Sequence, residues 1–277
     1  MSLAPLLPPV KVFIVPYRDR EKDKEEFLKN MSRLLEDTQK TEPYEIYFAH
    51  QYDARPFNRG AMKNIGFLAV KDKYPDAYKN ITFIFHDVDT WAVEKGLIDY
   101  NTTAGVVKHY YGFKFALGGM FAIKGDDFEK SRGFPNFWGW GIEDNVINDR
   151  CLAAGLTIDR SCFYHINDAR IFRTFDGFNR IISQKDSLVY KTATTDDMNA
   201  LREVKWRLIA AANAAANAAN ACIFMINAYN FECAMNYKEQ IYKPIDIRKT
   251  KKLIVPKASQ FRRNWSMLGA LPPHPPF

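Results

Sequence analysis

Ile81–Asp89 reads ITFIFHDVD. Ile81–Phe85 is a short β-branched and aromatic run without polar alternation, the pattern of a strand buried on both faces. It runs straight into His86 and then into two carboxylates, Asp87 and Asp89. Upstream, Arg59–Val70 places Met62, Ile65, Gly66 and Ala69 on one helical face. Tyr44–Phe48 reads as a strand, and Asp23–Leu35 as an amphipathic helix carried by Phe27, Met31, Leu34 and Leu35. Val10–Val15 (VKVFIV) reads as a first buried strand that ends at Pro16. This β-α-β-α-β order predicts an α/β fold with a Rossmann-like, mainly parallel central sheet flanked by helices. Ligands of such sheets bind beyond the carboxyl ends of the strands, where Asp87 and Asp89 lie.

Downstream, Phe113–Ile123 carries adjacent glycines, Gly118 and Gly119, inside an apolar run. A bulge or a close backbone approach explains such a pair. Glu143–Ala154 reads as a helix closed by Gly155. The Ala-rich stretch Val204–Ala221, with Asn213, Asn217 and Asn220, reads as another helix from its propensity. The expected division is an N-terminal extension (1–9), a catalytic-type domain (10–190), a helical C-terminal extension (191–240) and a basic, Pro-rich arm (241–277).

Composition narrows the function. The 277 residues are 47% hydrophobic and 14% aromatic, which excludes a disordered chain. The net charge is +7, and the segment from Gln240 to Phe277, with eight basic residues against Asp246, accounts for all of it. A neutral body argues against nucleic acid as a partner. The arm itself suits an anionic membrane surface or an acidic partner, with a solvated tail as the plain alternative. Cys151, Cys162, Cys222 and Cys233 lack the spacing of a zinc site or a disulfide framework. No apolar run is long enough to span a membrane, and Met1–Pro9 lacks the basic start of a signal peptide. A cytoplasmic or soluble chain is expected.

Five motifs carry chemistry. In Asp87-Val88-Asp89, extended alternation would put both carboxylates on one side, where hard oxygen donors suit Mn2+, or alternatively Mg2+, on a diphosphate. Its plain alternative is a turn with solvated acids. Trp138-Gly139-Trp140-Gly141-Ile142-Glu143-Asp144 spaces two indoles by glycines, an arrangement for stacking on sugar faces. Glu143 and Asp144 follow at a helix start, where one can act as general base; a core Trp pair is the alternative. Pro16-Tyr17-Arg18-Asp19-Arg20 ends the first strand with two guanidiniums able to bind phosphate or a uracil edge. Phe57-Asn58-Arg59-Gly60 can stack on and pair with a nucleotide. Tyr164-His165-Ile166-Asn167-Asp168 offers a histidine beyond the Trp motif. Alone, each of these last three is weak.

In this order, PYRDR, FNRGAMKNIGF, FHDVD, LGGMFAI, GFPNFWGWGIEDN and YHIND, the sequence resembles the β-1,4-galactosyltransferase family over roughly Val10–Ser187. The resemblance implies a GT-A fold and an inverting, metal-dependent transfer from a UDP-sugar to a glycan or glycoconjugate hydroxyl. By position it implies that Pro16, Arg18 and Arg20 line the uridine pocket and that Phe57 and Arg59 hold the nucleotide. Asp87, Val88, Ala116, Gly118, Gly119 and Trp140 would face the donor. Asp89 and His165 would hold Mn2+, with Asn167 in the further ligand position. Trp140, Gly141, Glu143 and Asp144 would grip the acceptor, with Asp144 as the base. Ile166–Arg180 would be a lid.

The chain departs from the family at Asn145, where an acid is usual, and at Asn167, a weaker ligand than imidazole. It departs again at Ala116, where family galactosyltransferases carry Tyr; the smaller residue leaves space at the sugar C2 and points to a UDP-GalNAc or UDP-GlcNAc donor. Without a match to the family's membrane anchor and stem, the sequence resembles the bare catalytic domain, and no anchor is expected. Two other readings remain: a retaining or polymerising glycosyltransferase of the same fold, and a catalytically silent nucleotide-sugar or glycan-binding module.

Overall fold

The structure, a computed structural model, describes residues 8–37, 42–189, 196–210 and 222–249. The elements run β1 (Lys11–Tyr17), α1 (Glu21–Leu34), β2 (Tyr44–Gln51), α2 (Arg59–Lys73), β3 (Thr82–His86), β4 (Thr90–Ala92), β5 (Val106–Gly112), β6 (Met120–Lys124) and α3 (Gly125–Lys130). They continue with α4 (Glu143–Ala153), β7 (Thr157–Asp159), β8 (Tyr164–His165), β9 (Ile171–Arg173), β10 (Asn179–Ser183), α5 (Gln184–Val189), β11 (Arg202–Ala210), β12 (Cys222–Glu232) and β13 (Tyr242–Asp246).

The main sheet has the order β11-β12-β2-β1-β3-β6-β5-β7, with β8 also paired to β5. Strands β12, β2, β1 and β3 run parallel, while β6 runs against β3 and β5. The α/β, mainly parallel expectation therefore holds. β1 is buried along its whole length because both sheet faces are covered. Val12 and Ile14 pack toward α2, and Phe13, Val15 and Tyr17 pack with Phe27 and Met31 of α1. A continuous apolar run is what such a central strand requires. A Cβ on Gly66 would stand 2.5 Å from Ile14 Cγ2, so this glycine lets α2 press onto the sheet.

Two expectations are corrected. β1 does not end at Pro16 but continues to Tyr17. Its last pair with β3 is Ile14 with Phe85, while pairing to β2 runs on to Tyr17. Beyond the β3 pairing, the missing proline N–H is tolerated. The second correction concerns Val204–Ala221. Arg202–Ala210 is a strand antiparallel to β12, and the residues after it up to Ala221 lie outside the described residues. Val204 and Trp206 pack against the core while Lys205 and Arg207 face solvent. That period of two overrides helix propensity. Where it is described, the 191–240 extension holds no α-helix, only short 3-10 turns at Met198–Ala200 and Tyr237–Glu239, and β12 lies parallel to β2 and widens the sheet. Of the 241–277 arm, residues 242–246 form β13, which pairs with β10; residues 250–277 and 1–7 lie outside the described residues. Among the described residues no helix is long and apolar enough to cross a membrane, and Cys151, Cys162 and Cys233 are free thiols.

Candidate active site

The site forms where the carboxyl ends of β1 and β3 meet the N-termini of α2 and α4. Asn58 caps α2: its side chain accepts from the Ala61 amide at 2.9 Å and donates to the Asn136 carbonyl at 2.8 Å. This cap fixes the helix start and ties it to the loop that carries the Trp motif. A Cβ on Gly60 would stand 1.9 Å from the Pro135 carbonyl oxygen, so the loop lies directly on α2.

β3 ends at His86, and after Asp87 the chain turns at Val88–Asp89 rather than continuing as strand. The two carboxylates therefore take different partners. Asp87 pairs with Arg59 at 2.5 Å. Asp89 lies 3.5 Å from Arg20 and accepts from the Thr90 hydroxyl at 3.0 Å. Burial raises the pKa of Asp89, the Asp87 charge adds to the rise, and Arg173 and Arg20 only partly offset it. Burial opposes ionisation of Asp87 as well, but Arg59, Lys63 and Arg173 outweigh it and hold its pKa below the usual range. Val88 between them is buried in the core.

Arg59 also reaches Glu143 at 3.4 Å, so one guanidinium spans the strand-end acid and the first residue of α4. Glu143 is buried, and its Oε1 has no hydrogen-bond partner. Burial and then the Asp144 charge push its pKa up. Asp144 is paired through Oδ1 to Lys63 Nζ at 2.9 Å. Its other oxygen, Oδ2, lies 2.8 Å from where a Cβ on Gly118 would be, so the glycine pair admits this carboxylate. Gly119 has φ +68°, and a Cβ there would stand 2.6 Å from the Tyr111 carbonyl oxygen. Ile142, just before α4, has φ +76°, a strained value for a β-branched residue.

The two tryptophans separate. Trp138 is core: its indole stacks on Phe231 at 5.5 Å and donates to the Met235 carbonyl at 2.6 Å. Trp140 is half-buried, with Arg180 lying 5.9 Å from its ring. Gly139 bridges Asn58 and Ile182, and the Trp140 amide donates to the Ile181 carbonyl at 2.7 Å. Gly141, with φ +101°, leads into the acids without close neighbours.

Other expected residues lie around this centre. Pro16 is buried in β1. Arg20 reaches Asp89 and, at 3.1 Å, Asp176, whereas Arg18 turns away to the Arg55 carbonyl. Phe57 accepts the Gly139 amide on its carbonyl. Ala116 is buried beside Leu117. His165 and Asn167 are exposed on and just after β8. Among the described residues, no three His, Cys, Asp or Glu side chains converge as a metal cage. The 166–180 segment lies on the acidic turn: the Thr174 amide donates to the Asp89 carbonyl at 2.8 Å, and β9 pairs with β4.

Sequence reading missed Lys63 and Asp186. Lys63 stands four residues after Arg59, on the same helical face, and that spacing was the available signal. Asp186 accepts from the Trp138 amide across 48 residues of sequence, which no local pattern announces.

Comparison with known proteins places these features. The family model for the N-terminal region of glycosyl transferase group 7 matches residues 8–100, and that for the N-terminal domain of galactosyltransferase matches residues 101–175. β-1,4-Galactosyltransferase 4 of Homo sapiens is 29% identical over 209 residues, covering 71% of this chain and 58% of its own. β-1,4-Galactosyltransferase 7 of Drosophila melanogaster is 27% identical over 217 residues, covering 71% and 62%. The chain thus spans under two thirds of the length of these relatives. The crystal structure of the Drosophila β-1,4-galactosyltransferase 7 catalytic domain, a complex with xylobiose, superposes with a TM-score of 0.60 at 19% identity over 83% of this chain and 96% of that one. A mutant of that enzyme in complex with manganese, UDP-Gal and xylobiose gives the same TM-score at 18% identity. The fold is that of a GT-A galactosyltransferase catalytic domain.

Proposed function

The chain belongs to the β-1,4-galactosyltransferase family, and on that premise we propose that it is an inverting, UDP-sugar-dependent glycosyltransferase. It moves a hexose or N-acetylhexosamine to a hydroxyl of a glycan or glycoconjugate. The observation that carries this reading is the bridge made by Arg59, which sets the strand-end acid Asp87 against the α4 acids Glu143 and Asp144. A donor placed at the strand ends and an acceptor placed on α4 would then meet beside Trp140.

Asp144 takes the proton of the acceptor hydroxyl. That oxygen bonds to the anomeric carbon from the face opposite the phosphate, the bond from this carbon to the UDP oxygen breaks, and the configuration inverts. Trp140 offers an apolar ring for the sugars. Glu143, with its raised pKa, donates or accepts a hydrogen bond at the acceptor.

Mn2+ fits the residues present to this extent: Asp89 is a buried hard-oxygen donor beside a second carboxylate, an arrangement that draws a cation. Asp89 would hold it; His165 and Asn167, which the family resemblance adds to the ligand set, are exposed and would have to be drawn to it. When bound, the ion offsets negative charge on the departing diphosphate. Arg20 and Arg59 add fixed positive charge at the same end. Ala116 is small and buried, which supports an N-acetylhexosamine donor, whereas a relative's structure holds UDP-Gal.

A donor-by-acceptor array read by mass spectrometry tests this. UDP-GalNAc or UDP-GlcNAc turning over faster than UDP-Gal is expected, with product of inverted anomeric configuration by NMR. Turnover of UDP-Gal alone overturns the donor assignment, and retained configuration overturns the mechanism. Asp144→Asn should lose about 10²–10⁴-fold in turnover while still binding UDP.

A further inference from the structure

Arg59 and Lys63 stand one turn apart on α2 and face three carboxylates. Arg59 is committed to Asp87 at 2.5 Å and to Glu143 at 3.4 Å. Lys63 pairs with Asp144. It is only 2% exposed, and its ammonium lies 4.5 Å from the Phe134 ring centroid. An ammonium so poorly hydrated interacts strongly with the carboxylate it meets.

We propose that Lys63 is the positioning residue for Asp144: it holds Oδ1 and so turns Oδ2 over Gly118 as the proton-accepting oxygen. The inference rests on the glycosyltransferase reading and deepens it. Its physical basis is crowding of like charge. Glu143 and Asp144 are adjacent in the first turn of α4, and Asp87 stands across Arg59 from them. The charged groups that face Asp144 are Lys63 and Arg59 from α2 and Glu143 from its own helix, and Arg59 is shared with Asp87 and Asp89. Without Lys63, Arg59 alone would answer Glu143 and Asp144 from α2, and repulsion between these adjacent carboxylates would turn Asp144 away. The lysine thus selects geometry. It engages Oδ1 at 2.9 Å while Oδ2 occupies the space that the missing side chain of Gly118 leaves.

The test is kcat and KM in wild type, Lys63→Met, Lys63→Gln and Lys63→Arg, with the UDP-sugar and acceptor that wild type turns over. In the two uncharged variants kcat should fall by about 10²-fold, as for a misplaced catalytic group, with KM for the UDP-sugar little changed. Lys63→Arg, which keeps a cation on Oδ1, should restore most of that loss. An unchanged kcat in Lys63→Gln or Lys63→Met overturns the proposal, as does Lys63→Arg behaving like the uncharged pair. If both uncharged variants lose their far-UV dichroism while Lys63→Arg keeps it, the lysine is a structural ion and the proposal fails. A wild type silent toward every UDP-sugar sinks the glycosyltransferase reading itself, which separates the two failures.

Discussion

Asp186 accepts a 2.6 Å hydrogen bond from the Trp138 amide, joining α5 to the loop that presents Trp140. Asp186 is 3% exposed and its Oδ1 has no partner. Burial pushes its pKa up to about 7, against the pull of the Trp138 amide and the Ser183 hydroxyl. Between its unfolded value near 4 and about 7, the native state holds a proton that the unfolded chain has released. Stability from this group is therefore full below about pH 4 and is lost as pH rises through 7, by at most about 4 kcal/mol. Asp186→Asn keeps an acceptor for the amide and removes the titration. Chemical denaturation from pH 5 to 8 should show wild type losing stability relative to Asp186→Asn; parallel curves would refute the assignment.

His109 behaves in the opposite sense. Its Nδ1 accepts from Arg160 Nε at 3.0 Å, and Nε2 donates to the Tyr111 and Gly118 carbonyls at 3.0 and 3.1 Å. Burial and then the Arg160 charge lower its pKa to about 4. An unfolded histidine binds its proton near pH 6.5, so this stabilisation is complete above 6.5 and is lost as pH falls toward 4. The loss is at most about 3 kcal/mol. His109→Gln should be less stable than wild type at pH 7, with a shallower fall between pH 6.5 and 4.5 in urea unfolding.

The fold was legible where one physical demand dominated. β1, β2 and β3 announce themselves because burial on both faces requires unbroken apolar runs. α4 does so because acids open it and Gly155, at φ +77°, follows its end. β11 did not, because Ala-rich sequence after Leu208 drowned the alternation of Val204 and Trp206, whose burial depends on a remote partner, β12. The site followed the same rule. Asp87, Asp89, Glu143 and Asp144 lie at element ends that sequence could place. Their division between Arg59, Arg20 and Lys63 is tertiary. The extended alternation expected for Asp87 and Asp89 failed because the chain turns at Val88–Asp89.

The two tryptophans should respond differently to substitution. Trp138 is packed on Phe231, with Arg55 5.1 Å from its ring. Trp138→Ala should cost about 3–5 kcal/mol. Trp140 is half-buried and its indole has no stacking partner comparable to Phe231 among the described residues. Trp140→Ala should leave the melting temperature within a few degrees and raise KM for the acceptor or lower kcat. Calorimetry and steady-state kinetics on both variants decide it; equal destabilisation would refute the division.

Gly118→Ala tests the site at a single methyl. The added Cβ would stand 2.8 Å from Asp144 Oδ2, closer than van der Waals contact allows. The glycine's own backbone is not in the left-handed region, so an alanine there is not resisted by conformation. Asp144 must give way instead, and its anchor on Lys63 at 2.9 Å limits the direction. A shift of about 1 Å in a catalytic group can cost about 10²-fold. Gly118→Ala should therefore lower kcat by about 10²-fold with little change in far-UV dichroism or UDP affinity. Relieving the anchor should recover part of that loss, so Gly118→Ala combined with Lys63→Met should fall short of the product of the single effects. Near-normal turnover of Gly118→Ala would mean that Asp144 does not stand over this glycine in the working enzyme.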